Sequence, residues 1–118
     1  MSDAAPITVI ETPEFLAAVS KLLDEEERAA LIDYLAYNPA AGAVVTGAGG
    51  IRKLRWSLEG RGKRGGARVI YFYHSKDMPL FALTAYAKNE RDSLTQSDKN
   101  TFKQLTKLLA EGYGRPKR

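Results

Sequence analysis

The sequence has no cysteine and a single histidine, His74. Without cysteine the chain can form no disulfide, no thiolate nucleophile and no cysteine-based zinc or iron–sulfur site. One histidine is too few for a histidine-rich metal cluster. The residue types that are missing therefore exclude thiol chemistry, and we predict no metal site.

Long apolar segments are also missing. The N-terminus has no basic segment followed by an apolar one, the pattern that marks a secretory signal peptide. No uninterrupted apolar run approaches the length of a membrane span. We therefore expect a cytoplasmic protein without a membrane partner. Its 118 residues, 44% of them hydrophobic, fit a single domain over residues 1–118, with flexible ends at 1–5 and 113–118.

Acidic residues are almost absent from residues 50–73, where Glu59 is the only one. The same stretch contains seven cations: Arg52, Lys53, Arg55, Arg61, Lys63, Arg64 and Arg68. Only Lys21 and Arg28 are basic in the first 50 residues, so the charge of the chain is strongly polarised. A cationic surface of this kind suits a phosphate backbone. Ordinary edge-strand protection by lysine and arginine is the alternative.

The first half of the chain predicts one strand followed by two helices. Residues 7–10 form a short β-branched run, and Thr12-Pro13 then starts a helix as cap and first residue. Asp24 and Glu27 resemble a capping box that starts a second helix, which Asn38-Pro39 ends. The glycine-rich segment 40–50 reads as a flexible connection.

The second half predicts three strands and a last helix. Strands are expected at about 51–57, 67–74 and 80–87, with a glycine-rich cationic loop at 60–66. Thr95 to Asp98 starts the last helix, and Gly112 ends it. The apolar face of that helix should contain Phe102, Leu105, Leu108 and Leu109. The predicted class is α+β, in the order β-α-α-β-β-β-α, with two N-terminal helices on a small antiparallel twisted sheet.

Two segments carry a specific resemblance. GKRGGARVIYFY at 62–73 and YAKNE at 86–90 are similar to the RelE/ParE superfamily of bacterial type II toxins, and most similar to its HigB-like branch. The resemblance extends over about residues 6–112. It implies a RelE-like fold and a HigA-like helix-turn-helix antitoxin as partner.

The resemblance also implies an activity. RelE-like toxins are mRNA interferases that cut mRNA in the ribosomal A site without a metal or other cofactor, by attack of a ribose 2′-hydroxyl on the adjacent phosphate. By this resemblance Lys53 is the base and Arg68 binds the phosphate. Asn89 stands where relatives carry an arginine proposed as the acid, so Lys88 becomes the candidate acid.

The remaining candidates would bind RNA. The tyrosine that stacks a base in RelE corresponds to Thr95 here, so another aromatic residue would have to stack the base. For the tyrosines, packing in the sheet explains the residue type at least as well as stacking does. The full RNA-binding set is Arg52, Arg55, Arg61, Lys63, Arg64, Tyr73, His74, Tyr86 and Asn89, with Tyr73, His74 and Tyr86 as the stacking candidates.

Two other functions fit the same sequence. A ParE-like inhibitor of DNA gyrase would use this fold without ribonuclease chemistry, and a non-catalytic RNA-binding domain would use the cations alone. Fold does not separate these functions. The density of cations favours the ribosome and mRNA as targets, because both present many phosphates.

Overall fold

Five strands in one mixed sheet and three helices make up the part of the chain that the structure describes. The computed structural model describes residues 5–58, 66–91 and 93–114. The elements are β1 (Val9–Glu11), α1 (Pro13–Val19), α2 (Glu25–Tyr37), β2 (Ala43–Val44), β3 (Ile51–Trp56), β4 (Ala67–Phe72), β5 (Leu80–Ala87) and α3 (Gln96–Gly114). The strand order across the sheet is β1-β5-β4-β3-β2. The predicted α+β class and element order are confirmed, with one strand added.

The pairing of β1 differs from the predicted antiparallel sheet. β1 runs parallel to β5, with Val9 opposite Leu80 and Glu11 opposite Ala82. The prediction was wrong here because the direction of β1 is decided by a partner about 70 residues away, and no local pattern encodes that pairing. The other neighbouring strands in the sheet pair antiparallel, as expected.

The additional strand, β2, lies in the segment predicted as a flexible connection. Val44 pairs with Arg52 of β3, and the Val45 N–H donates to the Ile51 carbonyl at 2.9 Å. Gly49 and Gly50 have φ values of 77° and 95°. These left-handed conformations reverse the chain in a tight hairpin, so the glycines that suggested flexibility form a defined turn.

The start of α1 is confirmed, and its cap also attaches the helix to the sheet. The Thr12 hydroxyl accepts a hydrogen bond from the Phe15 N–H at 3.1 Å. The same hydroxyl donates to the Ala82 carbonyl of β5 at 2.9 Å. Thr12 therefore fixes both the first turn of α1 and its position on β5.

The starts of α2 and α3 are confirmed as capping boxes. Asp24 and Glu27 exchange two hydrogen bonds of 2.8 Å between side chain and backbone. Thr95 and Asp98 exchange equivalent bonds of 2.9 and 3.0 Å. Asn38 is the C-cap of α2, as predicted, whereas α3 continues to Gly114, past its predicted end.

The helices pack on opposite faces of the sheet. We call the side covered by α1 and α2 the α1/α2 face, and the side on which α3 packs the α3 face. The core of the α1/α2 face includes Phe15, Val19, Leu31, Leu35, Leu54, Val69 and Tyr71. The core of the α3 face includes Ile51, Ile70, Phe72, Phe81 and Leu83, against which Phe102, Leu105 and Leu109 pack.

One residue of α3 departs from its predicted orientation. Leu108 was predicted on the apolar face, but it is 67% exposed. Thr106 is buried instead, at 2% exposure, because α3 lies against the backbone of the β2–β3 turn. A Cβ added to Gly49 would lie 2.3 Å from the Thr106 hydroxyl, so this approach requires a glycine. In the described ranges no helix combines the length and hydrophobicity that crossing a membrane requires.

Candidate phosphodiester-cleaving site

Strand register brings three predicted cations together on the α3 face. Arg55 lies opposite Arg68, and Lys53 lies opposite Ile70. Facing residues of antiparallel strands project to the same side of a sheet, and Ile70 belongs to the core of the α3 face. Lys53, Arg55 and Arg68 therefore share that face. Lys53 and Arg68 are diagonal neighbours, a relation in which Cα atoms lie roughly 7–8 Å apart.

Lys88 joins this group from β5. The Lys88 N–H donates to the Gly66 carbonyl at 3.0 Å, which extends the β4–β5 ladder beyond its last paired residues. Tyr86 lies opposite Arg68, so strand alternation places Lys88 diagonally next to Arg68, on the side away from Lys53. We refer to Lys53, Arg55, Arg68 and Lys88 as the cationic cluster.

Arg68 is the buried member of the cationic cluster. It is 6% exposed, whereas Lys53 and Lys88 are half-buried and Arg55 is exposed. Its strand, β4, is buried along its whole length. Because the guanidinium is held in the middle of the sheet, its donors are fixed before a ligand binds. Its planar arrangement of N–H groups can donate to two oxygens of one phosphate. The lysines on the neighbouring strands have flexible stems and can reach the same group from two sides.

A further cation, which the sequence analysis did not single out, lies beside the cluster. The Arg91 Cζ atom is 5.3 Å from the centroid of the Tyr86 ring. The chain turns back after β5, because the Arg91 N–H donates to the Ala87 carbonyl at 3.1 Å. The sequence signal was a cation five residues after Tyr86, but its position depends on this turn. Tyr86 itself is 9% exposed and packs in the core of the α3 face.

Arg52 does not belong to this group. It lies opposite Tyr71 and therefore on the α1/α2 face, away from Lys53. Its Nη1 atom donates to the carbonyls of Ala40 and Gly42, at 3.2 and 2.7 Å. Arg52 therefore holds the segment that follows α2 against the sheet, and its predicted RNA contact stays a prediction.

Tyr73 and His74 lie at the other end of the sheet. They follow β4, five and six residues beyond Arg68, which corresponds to roughly 17–20 Å of extended chain. Tyr73 lines a cleft of about 630 Å³ together with Tyr37 and Met78. This cleft is larger than a groove of about 280 Å³ that contains His74 and two lysines of α3. Neither concavity contains a member of the cationic cluster, and an extended RNA strand can bind an open charged surface.

The remaining predicted residues are placed only in part. Asn89 is exposed in the turn after β5, next to Lys88. Arg61, Lys63 and Arg64 lie outside the described residues, as do the terminal segments 1–4 and 115–118 that were predicted to be flexible at the ends of the chain. Their predicted RNA contacts stay predictions.

The residue types of the cationic cluster can stabilise negative charge, accept a proton and donate a proton. Within residues 5–58, 66–91 and 93–114, no three histidine, aspartate or glutamate side chains come close enough together to hold a metal ion. A buried arginine can stabilise the charge that grows on a phosphate, and flanking lysines can accept or donate protons. Phosphodiester cleavage requires these three functions.

A comparison with known protein families identifies the family of this chain. Residues 40–113 match the family model described as the RelE toxin of the RelE/RelB toxin–antitoxin system. The matched segment covers more than half of the 118 residues and extends from before β2 into the last turn of α3. It contains the whole cationic cluster, whereas α1 and α2 precede it.

Proposed function

The chain belongs to the RelE toxin family, and we propose that it is an endoribonuclease that cleaves mRNA in the A site of the translating ribosome. Membership of the family makes it the toxin of a type II toxin–antitoxin system, which implies an antitoxin as partner. The observation that carries the proposed activity is the cationic cluster, in which two lysines flank a buried arginine on one sheet face.

The proposed reaction uses the ribose 2′-hydroxyl as nucleophile. Lys53, as the neutral amine, takes the proton from this hydroxyl while its oxygen attacks the adjacent phosphorus. Arg68 binds the non-bridging oxygens, whose negative charge grows in the transition state. Lys88 donates a proton to the departing 5′-oxygen, because the neighbouring Asn89 has no acidic proton to give. The products are a cyclic phosphate and a 5′-hydroxyl.

Binding and chemistry are assigned to different cations. Arg55 is exposed at the edge of the cluster and would hold a phosphate of rRNA or mRNA. Arg61, Lys63 and Arg64, in the segment of the chain between β3 and β4, are proposed to do the same. This division predicts that the outer cations change affinity and its salt dependence, while Lys53, Arg68 and Lys88 change the rate of the bound complex.

We also propose a HigA-like helix-turn-helix antitoxin, on the basis of the HigB-like segments 62–73 and 86–90. An acidic segment on such an antitoxin would complement the exposed cations of the α3 face. Co-expression should restore growth and yield a stable complex. A complex that leaves translation inhibited would contradict a neutralising role.

The test of the proposed activity is induction in cells followed by mapping of mRNA 5′ ends. Cuts should recur in phase with codons on translated messages, and disappear from a message whose start codon has been removed. The Arg68→Ala variant serves as the inactive control. Efficient cutting of naked RNA by the purified protein would contradict ribosome dependence. A DNA-damage response without mRNA cuts would instead indicate gyrase as the target.

A further inference from the structure

The turn after β5 returns Arg91 to the site. The N–H groups of Glu90 and Arg91 both donate to the Ala87 carbonyl, at 3.0 and 3.1 Å, which folds the chain back at the end of the strand. Arg91 consequently lies over the ring of Tyr86, with 5.3 Å between its Cζ atom and the ring centroid. Tyr86 is the cross-strand partner of Arg68, so Arg91 contacts the residue that faces the buried arginine of the cationic cluster.

The guanidinium of Arg91 is held in place by two further contacts. Its Nη2 atom forms an ion pair with Asp98, and its Nε atom donates to the Ser93 carbonyl at 3.3 Å. Asp98 is itself fixed, because the same carboxylate oxygen accepts a hydrogen bond from the Thr95 N–H in the cap of α3. Tyr86 beneath the guanidinium and the cap of α3 at its edge thus order a long side chain that would otherwise be mobile.

The ordered guanidinium still presents donors to the solvent. The Arg91 side chain is 40% exposed, and its Nη1 atom contacts no acceptor within the residues that the structure describes. An arginine uses its planar fork to bind phosphate oxygens, and an arginine that is already ordered loses less conformational entropy when it binds.

We propose that Arg91 is a further RNA-binding residue of this site, contacting a phosphate of single-stranded RNA next to the one held by Arg68. Asp98 is then a positioning residue, which acts on RNA only through Arg91. The inference rests on the proposed function for the identity of the ligand as RNA. Three adjacent strands carry Arg55, Arg68 and Tyr86 at facing positions. The distance across these three positions, from Arg55 to Tyr86 beneath Arg91, is roughly 10 Å, which is two strand spacings. That length exceeds a single phosphate group.

The first test measures binding without cleavage. The probe is a fluorescently labelled single-stranded RNA in which every 2′-hydroxyl is methylated, so that no nucleophile remains, and it is titrated at several salt concentrations. Each phosphate contact on a single strand contributes about 0.7 to the slope of log affinity against log salt. Arg91→Gln should lower that slope by about 0.7 and weaken binding several-fold. Lys21→Gln, which removes an exposed cation between α1 and α2, should leave the slope unchanged.

The second test separates binding from a structural role. Thermal unfolding of each variant reports whether the α3 cap and β5 turn survive. Arg91→Lys keeps the charge and should keep most of the salt slope, even if it changes stability. On ribosome complexes, Arg91→Gln should raise KM several-fold while the rate at saturation changes less. A structural role would lower stability in both variants and leave the salt slope of the folded protein unchanged.

Asp98 is tested by a double-variant cycle, with Thr95→Ala as the matched control. Asp98→Asn should alter RNA affinity in the parental protein and have no further effect in the Arg91→Gln protein. Thr95→Ala weakens the same cap without touching Arg91 and should not alter affinity. An Arg91→Gln protein with the parental salt slope, or a parental protein that does not bind the RNA at low salt, would overturn the proposal. If the Arg91→Gln protein keeps the parental salt slope and also cleaves mRNA on ribosomes, the RNA-binding role of Arg91 is rejected, whereas the proposed function is not.

Discussion

The two faces of the sheet differ in how completely the helices cover them. The α1/α2 face is closed by two short helices, whose Phe15, Leu31 and Leu35 are completely buried. The α3 face is covered only in part, since α3 packs near Ile51 and Phe72 and leaves the other end of the strands to the cationic cluster. Under the proposed function, the chemistry is confined to the α3 face, at the end of the strands that α3 leaves open.

Two adjacent residues of β3 illustrate the difference between the two faces. Arg52 is directed to the α1/α2 face and bonds to the backbone carbonyls of Ala40 and Gly42. Lys53 is directed to the α3 face, diagonal to Arg68. The proposed function therefore gives unrelated roles to two residues that have the same charge and are adjacent in the chain. Substitutions should have effects that depend on the face, and this expectation can be tested.

The largest effect is expected from Arg68→Ala. Loss of a fixed charge-stabilising donor costs about 3 kcal/mol in the transition state, which corresponds to roughly a hundredfold or more in rate. The measurement is single-turnover cleavage of mRNA on saturating ribosome complexes. Because Arg68 is buried, Arg68→Lys and a thermal unfolding curve accompany it as controls. A folded Arg68→Ala protein that cleaves at the parental rate would place the chemistry elsewhere.

The next effect concerns the packing of α3. Gly49→Ala would place a methyl group 2.3 Å from the Thr106 hydroxyl, at a backbone φ of 77° that disfavours side chains. Overpacking and left-handed strain together should cost about 2–3 kcal/mol in the free energy of unfolding. Gly47→Ala is the control, since its φ is 75° but nothing lies within 4 Å of the added methyl. Equal losses in both variants would show that α3 does not depend on this contact.

A third prediction addresses the α1/α2 face. The hydroxyl of Tyr71 donates to the Pro39 carbonyl and accepts from the Gly42 N–H, both at 2.8 Å. Tyr71→Phe would leave the buried Gly42 N–H and the half-buried Pro39 carbonyl without this partner, at a cost of about 1–2 kcal/mol measured by chemical denaturation. Cleavage by the folded variant should stay at the parental rate. A large loss of activity at unchanged stability would contradict the separation of the faces.

Tyr71 also predicts a dependence on alkaline pH. Burial raises the pKa of the Tyr71 hydroxyl above its usual range, although the Gly42 N–H and the charge of Arg52 oppose the shift. The folded-state pKa therefore exceeds the unfolded one of about 10. This contribution to stability is complete below pH 10 and is lost as pH rises from there through the folded-state pKa. Stability should thus fall less steeply above pH 10 in Tyr71→Phe than in the parental protein.

The smallest effect is expected at the cap of α2. Asp24→Ala removes the side-chain acceptor for the Glu27 N–H and should cost about 1 kcal/mol. Glu26→Ala, two residues later, removes an exposed acid near the same helix end without touching the cap, and should cost less. Denaturation midpoints compare the two. Equal costs would mean that charge near the helix end, not the capping bonds, stabilises α2.

The helices were predictable from sequence because their signals are local. Thr12, Asp24 and Thr95 each form the cap that the residue types indicate, and Asn38 ends α2 where expected. The parallel pairing of β1 was not predictable, since it depends on a contact between distant strands. Leu108 was misplaced because a glycine turn and Thr106, not the apolar pattern alone, set the rotation of α3.

The site was predictable only in part, for a related reason. Alternation along β3 already separates Arg52 from Lys53, but it does not reveal which face a helix covers. The position of Lys88 beside Arg68 follows only from the β4–β5 register. Arg91 could not be placed at all, because a backbone turn after Ala87 and the cap of α3 together bring it over Tyr86.

The most direct test of the account compares Lys53→Ala with Arg52→Ala in one assay. Both proteins are assayed for single-turnover cleavage on saturating ribosome complexes, at a temperature where circular dichroism shows each to be folded. Lys53→Ala should lose roughly a hundredfold or more in rate with little change in stability. Arg52→Ala should lose stability and, while folded, cleave at the parental rate. The reverse result, with Lys53→Ala active and folded Arg52→Ala inactive, would contradict the assignment of the site to the α3 face.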